Sequence, residues 1–479
     1  IFYLISVILL SFKKIDALNY YADHATHLEI LWRFKNGHGL TSLLSESFFS
    51  NSHWFSAHFT PIIFITYAPI FYLFPYSETL FVLETIFISS SIIPLYLICK
   101  LYFDKKQSLL FCSCFFFYPT IFYTNLYGPA YIELAIPFFL WIFYFLESKH
   151  LKLFWISLTL ALLIREEVSL IIASLGLYIY FIRREKIGLI IFFIGAAYFL
   201  LVINYIIPSF SGNNKLVATS IYSSWGENPS EIVKNIILNP IETIYKMLSI
   251  TRVGNLIIFL IPLLFMPLFS FFTFMIALPN LVLTFFSDSI SNYSFVLYYL
   301  SPSIPVLFYA SIKSINSLSE AIDINKNALI SSLFVASLCS SIFFGATPIS
   351  IQFWNENYKV GNFSTTNFYL SEYIQEQNDI DVKKIVSLIP ENAAISAEQH
   401  ILPLLYKKEK MLVFPSIEND INYVLIDKNK KEKAGWDDTY LSFRNDPQFF
   451  YNEFIESNEW NLEIENNGVM LFKRNRKND

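Results

Sequence analysis

The chain has 479 residues, of which 54% are hydrophobic and 18% aromatic, and its formal net charge is −5. A mean hydropathy of +0.45 is too high for a soluble domain of this length, so the composition predicts a polytopic membrane protein. Because no basic patch offsets the acidic balance, nucleic acid is excluded as a class of partner.

Apolar stretches predict about eleven transmembrane helices. In chain order they are 1–12, 78–99, 108–124, 131–146, 153–164, 168–182, 187–208, 253–272, 273–287, 295–312 and 328–346. The first stretch is shorter than the roughly 20 residues that a span needs, so we expect a helix truncated at its N-terminus. The stretch 61–74 contains two prolines and stops at a third, which predicts an interfacial or re-entrant segment and not a crossing.

Basic residues predict the orientation of these helices. Lys and Arg concentrate in the short loops 100–106, 149–152, 183–186 and 313–326, which should therefore be cytoplasmic. Alternation then places a long first loop (13–60), a second loop (208–252) and the tail on the extracytoplasmic side. We expect a multi-pass membrane protein with a transmembrane domain at 1–346.

The tail, 347–479, carries 21 acidic and 15 basic residues and reads as a separate soluble α/β domain. Its pattern predicts a helix at 369–389, strands at 393–397, 411–414 and 423–427, and a second helix at 447–457. A closing hairpin at 460–473 should turn at Asn466-Asn467-Gly468, since Asn and Gly tolerate the left-handed backbone of a tight turn.

The first external loop contains Asp23, His24 and His27. A helix brings Asp23 and His27, four residues apart, to one face. Asp23 then suits the work of a base or cation stabiliser, with the imidazoles at phosphate oxygens. The same residues suit a divalent metal ion, so a cation cofactor stays open. A solvated loop helix without chemistry is the alternative.

Further ionisable residues fall at predicted external ends of helices, where a charge beside hydrocarbon needs a partner or a wet cavity. Arg165 suits bidentate phosphate binding, and Glu166 or Glu167 would position it or serve as acid or base. Glu133 needs a cation, for which Arg165 is the candidate, and His58 precedes the 61–74 segment. The alternatives are a backbone hydrogen bond for His58, a structural ion pair for Glu133 and a plain polar turn at 165–167.

Several of these residues resemble known sequences. An acid soon after the first membrane helix resembles the GT-C superfamily of membrane glycosyltransferases, and the nearer likeness is to a family of prokaryotic predicted membrane proteins within it. The likeness covers most of the chain and is carried by Tyr21-Ala22-Asp23, Ala57-His58-Phe59-Thr60-Pro61, Ile164-Arg165-Glu166-Glu167, Leu388-Ile389-Pro390, Phe414-Pro415 and Tyr423-Val424-Leu425-Ile426-Asp427.

The resemblance implies a GT-C-like helical fold in a prokaryotic inner membrane, with an active site that faces the extracytoplasmic side. It implies transfer of a sugar from a polyprenyl-phosphate carrier to an acceptor, with Asp23 as the catalytic acid of the loop. In this sequence His24 follows Asp23 where many relatives have a second acid, which leaves metal dependence open. A lipid or small-solute transporter and a non-catalytic membrane scaffold are the alternative functions.

Overall fold

The computed structural model describes residues 2–19, 22–44, 52–211, 221–358, 360, 368–428, 454 and 459–475. The chain divides into two compact units. The first unit comprises Ile1–Ile8, Phe55–Tyr67 and Leu80–Tyr369, and the second comprises Leu9–Trp54, Ala68–Thr79 and Leu370–Asp479. Helix Phe2–Asp16 contributes residues to both.

The first unit is helical. Its helices of eight or more residues among those described include Ile92–Cys99, Lys105–Phe116, Pro119–Tyr127, Ala135–Glu147, Leu151–Leu162, Val168–Phe181, Ile187–Leu201, Pro229–Leu238, Pro240–Met247, Ile250–Leu260, Leu278–Phe285, Ile304–Ile322 and Lys326–Phe344. Helix Ser77–Ser90 begins in the second unit and runs on into Ile92–Cys99.

Fewer of the described helices than predicted have the length and hydropathy of a membrane span. Five helical segments in the described residues are long and apolar enough to cross a membrane: Ser77–Cys99, Ile187–Phe210, Met266–Phe285, Ile290–Ile322 and Lys326–Phe344. Two bent pairs raise the count to seven at most, so the prediction of about eleven is not confirmed. Three predicted spans form helices of only 12 to 14 residues, which are shorter than the roughly 20 that a crossing needs.

One predicted boundary lies in the wrong place. The sequence suggested two spans that meet at 272–273, whereas the backbone breaks at Leu264 and Phe265, which have φ values of 48° and 57°. Pro267 follows at once, and a proline in a helix lacks the donor and clashes with the carbonyl four residues back. The chain therefore resumes as the single span Met266–Phe285.

The predicted interfacial segment does form short pieces. A 3₁₀ helix covers Pro61–Phe64 in the first unit, and an α-helix of six residues covers Ala68–Leu73 in the second. Neither piece has the length to cross a bilayer.

Two helices of the first unit pack at unusually close range. Gly176 in Val168–Phe181 lies against Gly188 in Ile187–Leu201, and a Cβ on Gly176 would come within 2.4 Å of the Phe192 backbone nitrogen. Only glycine permits this approach, because real Cβ contacts are not that short. The close pairing fixes the helix that begins directly after the Arg165–Glu167 turn.

The second unit contains a five-stranded sheet in the order β2-β1-β3-β5-β4. The strands are β1 Ala394–Ala397, β2 Lys410–Val413, β3 Tyr423–Asp427, β4 Trp460–Asn466 and β5 Val469–Arg474. Strand β1 pairs in parallel with β2 and β3, and β5 pairs antiparallel with β3 and β4. All five strands occur where the sequence predicted them, which confirms an α/β tail.

Turn chemistry explains the closing hairpin. Asn467 and Gly468 have φ values of 48° and 80°, the left-handed pair that a tight hairpin turn requires. The helix predicted at 369–389 is shorter and covers Gln377–Leu388, where Glu376 and Asp379 form a reciprocal cap. The helix predicted at 447–457 lies outside the described residues except for residue 454.

Candidate functional site

The predicted site residues fall in both units. His58, Glu133, Arg165, Glu166 and Glu167 belong to the first unit, and Asp23, His24 and His27 belong to the second.

In the first unit, one backbone hydrogen bond brings two distant stretches together. Helix Leu151–Leu162 ends before a tight turn, and the Leu163 carbonyl at its end accepts a hydrogen bond from the Ile62 N–H at 2.8 Å. This bond carries His58, four residues before Ile62, to the turn that holds Arg165. The predicted convergence of His58 with the 165–167 turn is therefore present.

Four side chains form a connected polar cluster, which we call the Arg165 cluster: His58, Arg165, Glu166 and Glu167. Arg165 Nη2 donates to His58 Nε2 at 2.9 Å, and Arg165 Nε lies 2.9 Å from Glu167 Oε1. His58 Nδ1 lies 2.9 Å from Glu166 Oε1, and the backbone N–H of Phe59 donates to Glu166 Oε2 at 2.9 Å.

These contacts assign the proton on His58. A guanidinium has only donors, so His58 Nε2 must accept the bond from Arg165. The ring proton then sits on Nδ1, from which it donates to Glu166. His58 is therefore neutral, with its tautomer assigned from the hydrogen-bond network.

Burial and charge explain the ionisation of the cluster. Arg165 and Glu166 are each 5% exposed, whereas the His58 side chain is 27% exposed. Burial, and then the charge of Arg165, lowers the pKa of His58 to about 3. Burial raises the pKa values of Glu166 and Glu167, while the guanidinium acts in the opposite direction on both. The cluster combines one fixed cation, two carboxyl groups and one neutral base.

The donor set of the cluster also has the composition of a metal site. One ligand atom each from His58, Glu166 and Glu167 lies within 4.8 Å of the others. Arg165 already contacts two of these three residues, through His58 Nε2 and Glu167 Oε1. A divalent ion would therefore have to displace the guanidinium, and the present arrangement fits an anion ligand better than a cation.

Glu133 is fully buried and is held by its own backbone turn. The N–H groups of Ala130 and Tyr131 donate to its carboxylate at 3.3 and 3.0 Å, and the Tyr67 hydroxyl donates at 3.5 Å. Tyr131 has a φ of 68°, which aims these N–H groups at the carboxylate. Among the ion pairs of the described residues, Arg165 pairs with Glu167, so the expected Glu133–Arg165 pair is replaced by these hydrogen bonds.

In the second unit, Asp23, His24 and His27 lie on helix Ala22–Lys35, with Asp23 in its first turn. His24 and His27 are 2% and 3% exposed, so the solvated-helix alternative is wrong for both. His24 Nε2 lies 2.7 Å from the Ser77 hydroxyl, and the His27 ring meets Trp54 edge-on at 5.1 Å. Burial, followed by the charges of His27 and Lys14, lowers the pKa of His24.

Sequence reasoning missed Glu29 on the same helix. Its carboxylate accepts hydrogen bonds from the Ser42 hydroxyl and from the N–H groups of Leu43 and Leu44. Glu29 therefore ties the far part of the loop to the helix that carries Asp23. The signal available in the sequence was a single acid within the apolar run Leu28–Trp32.

Comparison with known proteins identifies the family of this chain. Residues 17–471 match the family described as Predicted membrane protein (DUF2079). The chain belongs to this family. Among curated proteins no match was found.

A solved structure with a similar fold is ArnT from Cupriavidus metallidurans bound to undecaprenyl phosphate. The two chains are 9% identical, the alignment covers 99% of this chain and 98% of ArnT, and the TM-score is 0.50. At this identity the likeness concerns the fold. It confirms the predicted GT-C-like architecture of a membrane protein with a small C-terminal sheet.

Proposed function

We propose that this protein is a GT-C-type membrane glycosyltransferase. It moves a sugar from a polyprenyl-phosphate carrier to an acceptor at the extracytoplasmic face. The observation that carries the proposal is the full-length likeness of fold to ArnT, which is bound to undecaprenyl phosphate.

The Arg165 cluster supplies chemistry that agrees with this proposal. A guanidinium is well matched to phosphate oxygens, and a buried one binds an anion more strongly because little water competes for its donors. The ion pair with Glu167 restrains Arg165, which limits the side-chain entropy lost when a ligand binds. In this proposal Arg165 holds the carrier phosphate.

Asp23 is the proposed catalytic carboxylate of the second unit. Transfer from a lipid phosphate develops positive charge at the sugar, and a carboxylate near the reacting carbon stabilises it or takes the acceptor proton. The buried imidazoles of His24 and His27 follow Asp23 within about one turn of the same helix.

The test is transfer of labelled sugar from polyprenyl-phosphate donors to membranes that contain the protein. Asp23→Asn keeps size and most hydrogen bonds but removes the charge, so we expect the transfer rate to fall at least about a hundredfold, the low end for general-base contributions. Protein level and carrier binding should be little changed. Arg165→Ala should instead weaken binding of the carrier phosphate.

Asp16→Asn is the matched control. Asp16 lies in the same unit and pairs with Lys383 at 3.2 Å, but its side chain is 51% exposed, so the change should leave the transfer rate intact. Full activity of Asp23→Asn would remove Asp23 from the mechanism. A wild-type protein that transfers sugar from no polyprenyl-phosphate donor would favour the transporter or scaffold alternatives.

A further inference from the structure

The ring nitrogen of His58 that could accept a proton, Nε2, already accepts a hydrogen bond from Arg165. In a carboxylate–histidine pair the carboxylate holds Nδ1–H and leaves Nε2 to take a proton from the substrate. Glu166 and His58 have this arrangement, with 2.9 Å between Oε1 and Nδ1. Yet His58 Nε2 accepts a hydrogen bond from Arg165 Nη2, so in this state it has no lone pair to offer.

The group that covers His58 is the one best suited to a phosphate. Glu167 forms an ion pair on the Nε side of Arg165, with 2.9 Å between Nε and Oε1, so Nη2 can turn toward another acceptor while this ion pair is kept. A phosphate oxygen is an anionic acceptor, so its hydrogen bond to the guanidinium has charge on both partners, whereas the bond to the neutral imidazole has charge on the donor alone. A bound phosphate therefore competes with the neutral imidazole for Arg165 Nη2.

We propose that a carrier phosphate bound to Arg165 draws Nη2 away from His58 Nε2, and that the uncovered His58–Glu166 pair is the general base for the acceptor hydroxyl. This proposal rests on the proposed function, and it assigns the proton of the acceptor to His58. His58 is then a catalytic residue, and Glu166 and Glu167 are positioning residues.

The proton and the electrons balance in a single displacement. The acceptor oxygen forms a bond to the anomeric carbon while the bond from that carbon to the phosphate oxygen breaks. The acceptor proton moves to His58 Nε2, and the leaving polyprenyl phosphate keeps the electron pair. The carboxylate of Glu166 stabilises the imidazolium until the proton is lost to water and Arg165 returns.

The charges around His58 agree with this sequence of events. In the resting state Arg165 holds His58 neutral. Once a phosphate engages the guanidinium, the carboxylates of Glu166 and Glu167 act on the imidazole with less compensation, so its proton affinity rises. The other titratable groups that interact with the cluster are one carboxyl and several hydroxyls. The Glu133 carboxyl interacts with Arg165. The hydroxyls are those of Tyr198, which interacts with Glu166, of Tyr222, which interacts with Glu167 and Arg165, and of Tyr298 and Tyr299, which interact with Arg165. The order of binding follows, since an acceptor that arrives before the donor meets a covered base.

The experiment follows His58 by nitrogen NMR with ¹⁵N-histidine in the full-length protein in nanodiscs. The chain has seven histidines, and His58→Gln assigns the signal by its loss. We expect His58 to stay neutral down to at least pH 5 without ligand. Saturating undecaprenyl phosphate should raise its titration midpoint by at least about one pH unit, equal to a tenfold change in proton affinity. The signal of His150, which is exposed, serves as the control and should not respond to the lipid.

Inorganic phosphate separates the two sources of the anion. If inorganic phosphate raises the titration midpoint of His58 as the lipid does, the phosphate group alone is enough to draw Arg165 away from His58. If only the lipid raises it, the polyprenyl chain is needed to position the phosphate. Undecaprenyl phosphate that binds, as judged by a rise in Tm, and leaves the His58 titration unchanged overturns the inference while the proposed function stands. Failure of undecaprenyl phosphate to bind at all overturns both.

Kinetics give an independent readout. His58→Gln should lower kcat at least about a hundredfold with the KM for the donor little changed, since the base acts after donor binding. Glu166→Gln should lower kcat by a smaller factor and shift the pH–rate profile, with partial recovery in Glu166→Asp. A fall in donor affinity with unchanged kcat in His58→Gln would assign His58 to phosphate binding and contradict its role as base.

Discussion

One hydrogen-bond partner at each ring nitrogen sets the tautomer of His58. Arg165 makes the imidazole an acceptor at Nε2, and Glu166 makes it a donor at Nδ1. Because both bonds need the neutral ring, protonation of His58 would break one of them and place two cations side by side. The residue therefore links acidity directly to the integrity of the cluster.

This linkage predicts how stability depends on pH. An unfolded histidine titrates near 6.5, whereas the folded pKa of His58 is lowered to about 3, so between these values the unfolded chain binds more protons. The contribution of His58 to stability is therefore complete above about pH 6.5 and is lost as the pH falls toward 3. We expect the Tm advantage of wild type over His58→Gln to shrink between pH 7 and pH 4, measured by thermal denaturation in detergent. An advantage that stays constant over this range would contradict the neutral-histidine assignment.

Glu133 shows what sequence can and cannot say about single residues. The sequence shows that the Glu133 carboxylate lies in an apolar stretch and needs polar partners, and the structure supplies hydrogen-bond donors to it. Those donors are backbone N–H groups and a tyrosine hydroxyl, and which backbone groups turn inward depends on the φ of Tyr131, which composition does not reveal. The His58–Arg165 contact spans 107 residues and depends on the Ile62–Leu163 hydrogen bond, so spacing along the chain could suggest it only through topology.

At the scale of secondary-structure elements, the helices Val168–Phe181 and Ile187–Leu201 pack closely because glycines lie where they meet. The approach at Gly176 and Gly188 leaves no room for a methyl group. The site turn joins the start of the first of these helices, so the close pairing holds Arg165 to a rigid element.

Gly176→Ala should therefore destabilise the protein and lower donor binding. The added Cβ would meet backbone atoms at 2.4 to 2.8 Å, and the helices must separate to accept it. We expect a fall in Tm of several degrees, the usual scale for overpacking of about 1–3 kcal/mol. Gly254→Ala is the matched control, since nothing lies within 4 Å of its added Cβ, and its Tm should hold or rise. Equal Tm values for the two variants would show that the helix contact is looser than described.

The helices Pro229–Leu238 and Pro240–Met247 have an apolar face that turns outward. Ile237, Ile241, Tyr245 and Leu248 are between 67% and 85% exposed, whereas Lys246 lies over the Trp225 ring at 4.2 Å. Exposed apolar faces of this size are typical of helices that lie in a membrane interface. The next helix, Ile250–Leu260, continues the apolar run after a bend of 59°.

We expect a fluorophore attached at Ile241→Cys to be quenched by nitroxide-labelled lipid in zwitterionic bilayers. The background is Cys339→Ser, since the three other cysteines are buried. Anionic lipid should not be required for this quenching, because the exposed side chains that would contact the bilayer are apolar. Glu227→Cys, at an exposed position before the first of these helices, serves as the water-facing control and should be quenched by iodide. Iodide quenching at position 241 would place the face in water.

For secondary structure, local signals predicted the tail better than the membrane part. Short apolar strand segments and the Asn-Gly turn are specified within a few residues, and all five strands followed. Hydropathy measures only whether a stretch is apolar, so it could not predict that Ala135–Glu147 and Leu151–Leu162 form helices of 13 and 12 residues. The break at Leu264 arises from proline placement, which a hydropathy window averages away.

At the scale of the first unit, charged groups gather at opposite ends of the same helices. Helix Ala135–Glu147 begins after Glu133 and ends at Glu147, and helix Val168–Phe181 begins after Glu167 and ends before Arg183. Glu147 pairs with Arg183 and with Lys313, each at 3.1 Å. The basic loops that the charge rule assigned to the cytoplasm thus meet at one end, and the Arg165 cluster lies at the other.

This arrangement predicts the result of cysteine-accessibility labelling in intact cells. Lys105→Cys, in a basic loop, should be shielded from an impermeant reagent. Glu227→Cys and, in the tail, Lys384→Cys should react, since the Lys384 side chain is 66% exposed. Each variant carries Cys339→Ser and is compared with labelling after permeabilisation. Labelling of Lys105→Cys and Glu227→Cys from the same side would separate the Arg165 cluster from an extracytoplasmic substrate.

Glu147 has one further consequence, which concerns tolerance to change. Its carboxylate has two counterions, Arg183 shortly after helix Val168–Phe181 and Lys313 within helix Ile304–Ile322, so the loss of either one leaves Glu147 paired with the other. Either basic position can thus change in sequence while the other is kept, whereas the loss of Glu147 removes the shared partner of both. For protein engineering, the 183–186 loop can be exchanged while Lys313 is kept, and a variant that replaces both Arg183 and Lys313 must bring its own cation.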